Sequence, residues 1–377
     1  MAIADTIESM KTHLGEAYAS LDEKGATIPE NKNLENLSES ILSISGGDIS
    51  EYFNDIPISG NTGESQYSGW TNVIKKIPIK FKASNVSTNL MYALFQHCKS
   101  EIIELDRESF SNKQLNTMNN CFRFCKNVKS LDLSMLDISK VVAFQYTFDG
   151  CESLETLNVS GWDFSSSAYY TYMFRDCKSL VNVPAGIYIG GSATQVNYMF
   201  SGCTSLEHFS MTDERLNTSK TTQMSSFLYN CTSLKTADFS NFDFSKLSTS
   251  SGSTSYGFGC FLRGCTSLTS VSFPVQEQSS TVATMTEMFY QCTNLTEIDL
   301  SFLIAKPLRV ERMFGGCTKL QRIDIRNLNL SNITNYKDNM LSSVPTTCKI
   351  YVKDSANKQW FNTYFPNYTN VIIAGEE

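Results

Sequence analysis

Apolar residues recur along this chain with two alternating periods. Ahead of Cys98, Cys125, Cys151, Cys177, Cys203, Cys231, Cys265, Cys292 and Cys317 they stand at positions −7, −4, −3 and 0 counted from the cysteine. Tyr170, Met173, Phe174 and Cys177 are one such set, and Met285, Met288, Phe289 and Cys292 are another; Thr147 is the one polar intruder. An i, i+3, i+4, i+7 spacing predicts a two-turn helix with a single apolar stripe. Behind each cysteine the period becomes two. Leu131 and Leu133 follow Cys125, Leu157 and Val159 follow Cys151, and Ile298 and Leu300 follow Cys292. Such alternation predicts a short strand with every second side chain turned inward.

Successive cysteines are 27, 26, 26, 26, 28, 34, 27 and 25 residues apart, and "MLSSV" at 340–344 supplies a further unit with Val344 in the cysteine's place. A near-constant period in the twenties is that of a solenoid in the leucine-rich-repeat range. The expected fold is therefore α/β: about ten coils of short helix plus strand, with strands stacked ~4.8 Å apart into a parallel sheet roughly 50 Å long. No coil can bury its Met, Phe, Cys and Leu alone, so the same residues must return at each level. Cysteine suits the inner slot because it is small and apolar and its S–H is a weak donor. The nine are read as packed free thiols. The alternative, zinc held by Cys121 and Cys125 in "CFRFC", lacks a second ligand pair and a nearby histidine.

Composition narrows the chemistry. Hydrophobic residues are 41% and charged residues 18%, enough apolar material for a core through most of the chain. The formal charge is −7 with no basic cluster, so no nucleic-acid partner is expected. No apolar stretch reaches membrane-spanning length, and the N-terminus shows neither a basic start nor an apolar run, so no membrane insertion and no export leader are expected. The histidines, His13, His97 and His208, are scattered, and no nucleophile, phosphate-loop or paired-carboxylate constellation accompanies them. No enzyme activity and no cofactor are expected. A column at +7, with Asp132, Asp238, Asp299 and Asp324, reads as a solvated face, with cation binding the less favoured alternative.

The pattern MF-x-x-C-x-x-L-x-x-L-D-L-S, seen in "CKNVKSLDLSMLDIS" (125–139) and "CTSLKTADFSNFDFS" (231–245), resembles the BspA-like leucine-rich-repeat family of bacterial surface proteins. The resemblance implies a non-enzymatic adhesin or binding protein, with "PTTCKIYVKDSANKQW" (345–360) resembling the segment that caps such arrays. Residues 17–44 instead resemble the helical modules that open tail-associated proteins of phages and prophages of Gram-positive bacteria.

Four segments follow. Residues 1–47 form a helical attachment or oligomerisation module, 48–86 a β-rich linker and N-terminal cap, 87–344 the repeats and 345–377 a C-terminal cap. Ile3, Ile7, Met10, Leu14 and Leu21, with Ala17, make an a/d seam over three heptads. Leu34, Leu37, Ile41 and Ile44 could cover it in a hairpin, or the seam could join copies; the tail resemblance favours a trimer. The long 231–265 interval carries a Ser/Gly-rich excess, in which Ser253, Thr254, Ser255 and Tyr256 are either a contact loop or a tolerated insertion. The function expected is a phage or prophage tail-associated binding protein located in the virion. Its partners would be a host surface protein or glycan and other tail or baseplate proteins. The alternative is an adhesin on a bacterial cell surface.

Overall fold

The computed structural model describes residues 15, 18–19, 56–59, 79–85, 91–98, 101, 103–105, 107–110, 114–248 and 257–376. The chain winds into a parallel-sheet β-solenoid of about 8 turns with little helix. The ten coils expected are not confirmed, because the segment before residue 114 is described only in part and the unit ending at Val344 passes directly into the cap. Gly15, Tyr18 and Ala19 are helical; the rest of the 1–47 module, and with it Ile3, Ile7, Met10, Leu14 and Leu21, lies outside the described residues.

Each coil except that of Cys177 contributes a three-residue strand at +5 to +7. These are β3 (Ile103–Leu105), β4 (Ser130–Asp132), β5 (Thr156–Asn158), β6 (His208–Ser210), β7 (Thr236–Asp238), β8 (Ser270–Ser272), β10 (Glu297–Asp299) and β12 (Arg322–Asp324). Pairing is parallel and in register, with Leu131 beside Leu157, Phe209 beside Ala237, and Ile298 beside Ile323. These central residues are buried, while their neighbours in β4, β5, β6 and β10 face solvent, as a period of two demands. Ahead of them, β1 (Ile56–Ser59) and β2 (Ile79–Asn85) add parallel strands onto β3. Two further short strands, β9 (Gln278–Ser279) and β11 (Leu303–Ile304), pair on the return side. The strand pairing breaks between β3 and β4, between β5 and β6 and between β8 and β10; in the second of these gaps, at 182–184, Pro184 has no N–H to donate and only the Asn182–His208 bridge remains.

The segment from −7 to 0 is not an α-helix. Among the described residues, longer helix is confined to α1 (Arg107–Phe110) and α2 (Ser355–Tyr364), beyond Gly15, Tyr18 and Ala19. In the coil ending at Cys177, the amides of Met173, Arg175 and Cys177 close tight turns onto Tyr170, Tyr172 and Phe174 at 3.0, 3.3 and 3.2 Å. The amides between them leave the coil. Tyr172, Phe174 and Asp176 donate to Asn197, Met199 and Ser201 of the next coil at 3.0, 2.8 and 2.8 Å. Tandem turns of this kind need a positive φ at their third residue, here Tyr172 (62°) and Asp176 (57°). The same two positions, −5 and −1, are left-handed in the neighbouring coils, as at Asn120, Phe124, Tyr146, Gly150, Tyr198 and Gly202. Two turns four residues apart bury the same −7, −4, −3 and 0 set that a two-turn helix would. Every amide from Tyr172 to Cys177 finds a backbone partner, which offsets the cost of about 1–2 kcal/mol for each non-glycine left-handed residue.

At −1 the residues alternate along the axis: Phe124, Gly150, Asp176, Gly202, Asn230, Gly264, Gln291, Gly316. Each large side chain lies over the next coil's glycine, so a Cβ on Gly150 would stand 2.5 Å from the Phe124 ring, and one on Gly202 would meet the Asp176 carboxylate. The array ends in a cap made of β13 (Lys349–Val352), α2 and β14 (Val371–Ile373), paired parallel in that order onto β12 apart from the helix. Trp360 Nε1 donates to Ile333 O at 2.6 Å, and the Tyr368 hydroxyl lies 2.7 and 2.8 Å from the carbonyls of Leu341 and Val344. These groups take up the Ile333 and Val344 carbonyls, which the last turn would otherwise leave without a partner, and add a second bond to the Leu341 carbonyl, which already accepts the Val344 amide.

Candidate binding surface

The nine repeat cysteines, Cys98, Cys125, Cys151, Cys177, Cys203, Cys231, Cys265, Cys292 and Cys317, are all buried, and all twelve cysteines are free thiols. The geometry explains their recurrence. Each Sγ from Cys125 onward donates to the −3 carbonyl of the preceding coil, as in Cys151 to Phe122 O at 3.1 Å and Cys177 to Phe148 O at 3.2 Å. That carbonyl already accepts the amide of its own coil's cysteine, so the thiol fills its second lone pair. Burial raises the thiols of Cys125, Cys177, Cys203, Cys231, Cys265, Cys292 and Cys317, to about 12 for Cys265 and Cys317, so these stay protonated and unreactive at neutral pH. Among the described residues, no group of His, Cys, Asp and Glu is arranged to hold a metal, and no helix is long and apolar enough to cross a membrane.

On the strand face, polar side chains are largely committed to one another. Asp132 accepts the Ser134 amide at 3.0 Å and an Asn158 Nδ2–H at 3.1 Å, and His208 Nδ1 lies 2.8 Å from Thr236 Oγ1. Hydrogen bonds from Ser134 and Ser139 hold the carboxyls of Asp132 and Asp137 below the usual range. The acidic column thus caps return loops. Beside it runs an ion-pair column in which Glu152 bridges Lys126 (2.9 Å) and Lys178 (2.8 Å).

The turn face differs. Its −5 column carries Tyr146, Tyr172 and Tyr198, whose rings stack at 4.7 Å per step with interplanar angles of 11° and 17°. The −2 column carries Arg123 and Arg175. The Arg123 guanidinium lies 4.6 Å from both the Phe124 and Tyr146 rings, and that of Arg175 lies 4.6 Å from Tyr172. Between them Asp149, with no exposed side-chain surface, accepts Arg175 Nε (2.7 Å), Arg175 Nη2 (2.9 Å) and Arg123 Nε (3.0 Å). Asp176 beside Arg175 is half exposed, and burial of its remaining surface raises its carboxyl. Further along, Glu287 joins Arg263 and Arg312, and Arg263 sits between Tyr229 and Tyr290.

Sequence reasoning missed this ladder. Its signal was present as Tyr at −5 and Arg at −2, visible only once the coils are placed in register. Ser253, Thr254, Ser255 and Tyr256 lie outside the described residues. Of the described residues that flank them, Ser248 donates its amide to Thr222 O at 3.1 Å, and Gly257 bridges Gln223 at the corner leading into the turn segment 258–265.

Two family models match the chain. One, described as a Mycoplasma protein of unknown function, DUF285, covers 89–213 and 188–255; the other, described as a BspA type leucine-rich-repeat region, covers 232–371 in six copies. The chain thus carries a BspA-type leucine-rich-repeat region, and the tandem-turn geometry of that region runs back to residue 118 without a change of pattern. Similar solved structures include the pneumococcal vaccine antigen PcpA, at 15% identity with 84% of each chain covered and a TM-score of 0.38. An internalin from Listeria monocytogenes is 12% identical over 81% of this chain and 75% of that one, with a TM-score of 0.28. A leucine-rich-repeat protein from Eubacterium ventriosum is 13% identical over 80% of this chain and 91% of that one, with a TM-score of 0.25. No curated protein matches.

Proposed function

We propose that this protein is a non-enzymatic binding protein that meets a host surface molecule through the outward side chains of its solenoid. The observation that carries the reading is the turn-face ladder. It is a row of Tyr and Arg side chains, residue types enriched in recognition surfaces, held in fixed positions by stacking and by the buried Asp149. Repeats of this type work as binding scaffolds. Labelled protein should bind host cells saturably, and binding should fall when Tyr146, Tyr172 and Tyr198 are all changed to alanine in a chain that still folds. Failure of the unaltered protein to bind any host cell would remove the reading.

Where the protein is deployed has two readings. The BspA-type repeats support an adhesin on a bacterial surface. The resemblance of residues 17–44 to phage and prophage tail modules supports a virion protein, attached through 1–47 to other tail or baseplate proteins and assembled as a trimer by the Ile3–Leu21 seam. Light scattering decides the second reading's assembly step. A trimer that becomes a monomer on Leu14→Glu supports it, and a monomer throughout at micromolar concentration rejects self-association. Tail genes beside the coding sequence support the virion reading, and their absence supports the surface adhesin.

A further inference from the structure

We infer that the ladder from Arg123 to Tyr198 is a row of subsites for a neutral, hydroxyl-rich polymer, a linear glycan lying along the solenoid axis. The inference rests on the binding reading above and adds the face and the ligand chemistry. Hydrogen-bonding capacity is the first argument. The hydroxyls of Tyr146, Tyr172 and Tyr198 make no hydrogen bond to the described chain, and neither do Arg123 Nη2 and Arg175 Nη1. Donors and acceptors therefore recur coil after coil with nothing of the protein to satisfy them. On the strand face the equivalent groups bind each other, as Asn158 does Asp132 and His208 does Thr236.

Charge is the second. Arg123 and Arg175 are balanced by Asp149 and Asp176, so the row offers directed hydrogen bonds and little net field. An acidic polymer or a nucleic acid depends on uncompensated cations, and these are not present here. Shape is the third. The ring faces of Tyr146 and Tyr172, and one face of Tyr198, are occupied by a neighbouring ring or by a guanidinium, so along most of the row phenol and guanidinium edges are what remain outward. A protein partner gains most from an anchor buried in a desolvated pocket, whereas a row of polar edges suits a chain of hydroxyls. The 4.7 Å step from ring to ring repeats the same chemistry along the axis, matching a ligand that repeats its own. Stacking also fixes the rotamers before the ligand arrives, which lowers the ordering cost of binding.

The test is an array of neutral and acidic oligosaccharides, from single sugars to octasaccharides, probed with the labelled full-length chain. Neutral glycans should bind, with affinity rising with length until the chain outruns the ladder and changing little between low and high salt. Tyr172→Phe keeps the ring stack and removes one hydroxyl, so affinity should fall about three- to tenfold with an unchanged melting temperature. Tyr364→Phe, off the ladder in α2, should change nothing. Binding by no neutral glycan, binding confined to acidic sugars and lost in salt, or indifference to Tyr172→Phe would each overturn the inference. If the unaltered chain still binds host cells in any of those cases, the glycan assignment fails and the binding reading stands. If it binds no cells, that reading fails as well.

Discussion

Asp149 is the group on which the ladder's order depends. It is fully buried and takes three charge-assisted hydrogen bonds, at 2.7, 2.9 and 3.0 Å, from Arg175 and Arg123. Removing one partner of a buried ion pair costs about 3–5 kcal/mol when the other stays buried. Here the two arginine side chains are 27% and 28% exposed and can turn toward water, so Asp149→Ala should cost less, about 2–3 kcal/mol. Asp149→Asn keeps the shape and loses one acceptor, at about 1–2 kcal/mol. Urea unfolding followed by tyrosine fluorescence gives both values. A double-mutant cycle with Arg175→Met should show a coupling of at least about 1 kcal/mol, since the two side chains share one network. Near-ultraviolet dichroism of Asp149→Ala should also lose the signal of the tyrosine stack. A cost under about 0.5 kcal/mol with no coupling would mean that the arginines are held by their rings alone, and the argument from Asp149 would be refuted.

The remaining predictions concern the coil itself. Gly161→Ala meets no neighbour and bears only its left-handed φ of 85°, so it should cost about 1 kcal/mol; Gly190→Ala drives a Cβ into the Phe164 carbonyl, with the carbonyl carbon at 2.7 Å, and should cost about 3 kcal/mol or more by urea unfolding. Alkylation of the unfolded, unreduced protein should label all twelve cysteines. In the folded protein Cys260, half-buried and raised to about 11 chiefly by burial, should react first but slowly; finding several cysteines disulfide-linked contradicts the thiol column. Asp132, Asp137 and Asp213 have depressed folded-state pKa values. Their contribution is therefore complete above the unfolded value of about 3.9 and is lost as pH falls through the folded values, so the melting temperature should drop through that acid range.

The strands were legible because a period of two over Leu131, Leu133 and their counterparts has few other solutions once the cysteine interval sets a solenoid. The turn segments were misread for a definite reason. Met118, Cys121, Phe122 and Cys125 satisfy a helix and a pair of tandem turns equally well over eight residues, a window too short to separate the two periods. The discriminating residues lie outside the −7, −4, −3 and 0 set. Gly150, Gly202, Gly264 and Gly316 at −1, with Asn120 at −5 and Asn230 at −1, are poor helix formers and tolerate a positive φ. The Tyr and Arg columns stayed hidden because their members are some 26 residues apart and meet only when consecutive coils hydrogen-bond in register. The Pro184 interruption of the sheet was readable in principle from the residue alone.

Amide hydrogen exchange at Tyr146, Tyr172 and Tyr198 tests the architecture most directly. In a two-turn helix starting at −7, these amides lie in the first turn and have no partner. In the tandem-turn ladder they donate to Thr171, Asn197 and Ser225 of the next coil at 3.1, 3.0 and 3.0 Å. Residue-resolved exchange should show all three protected to the level of the strand amides of β5 and β6. Rapid exchange at these three positions, with protection confined to the later residues of each segment, would contradict the ladder and return the segments to helix.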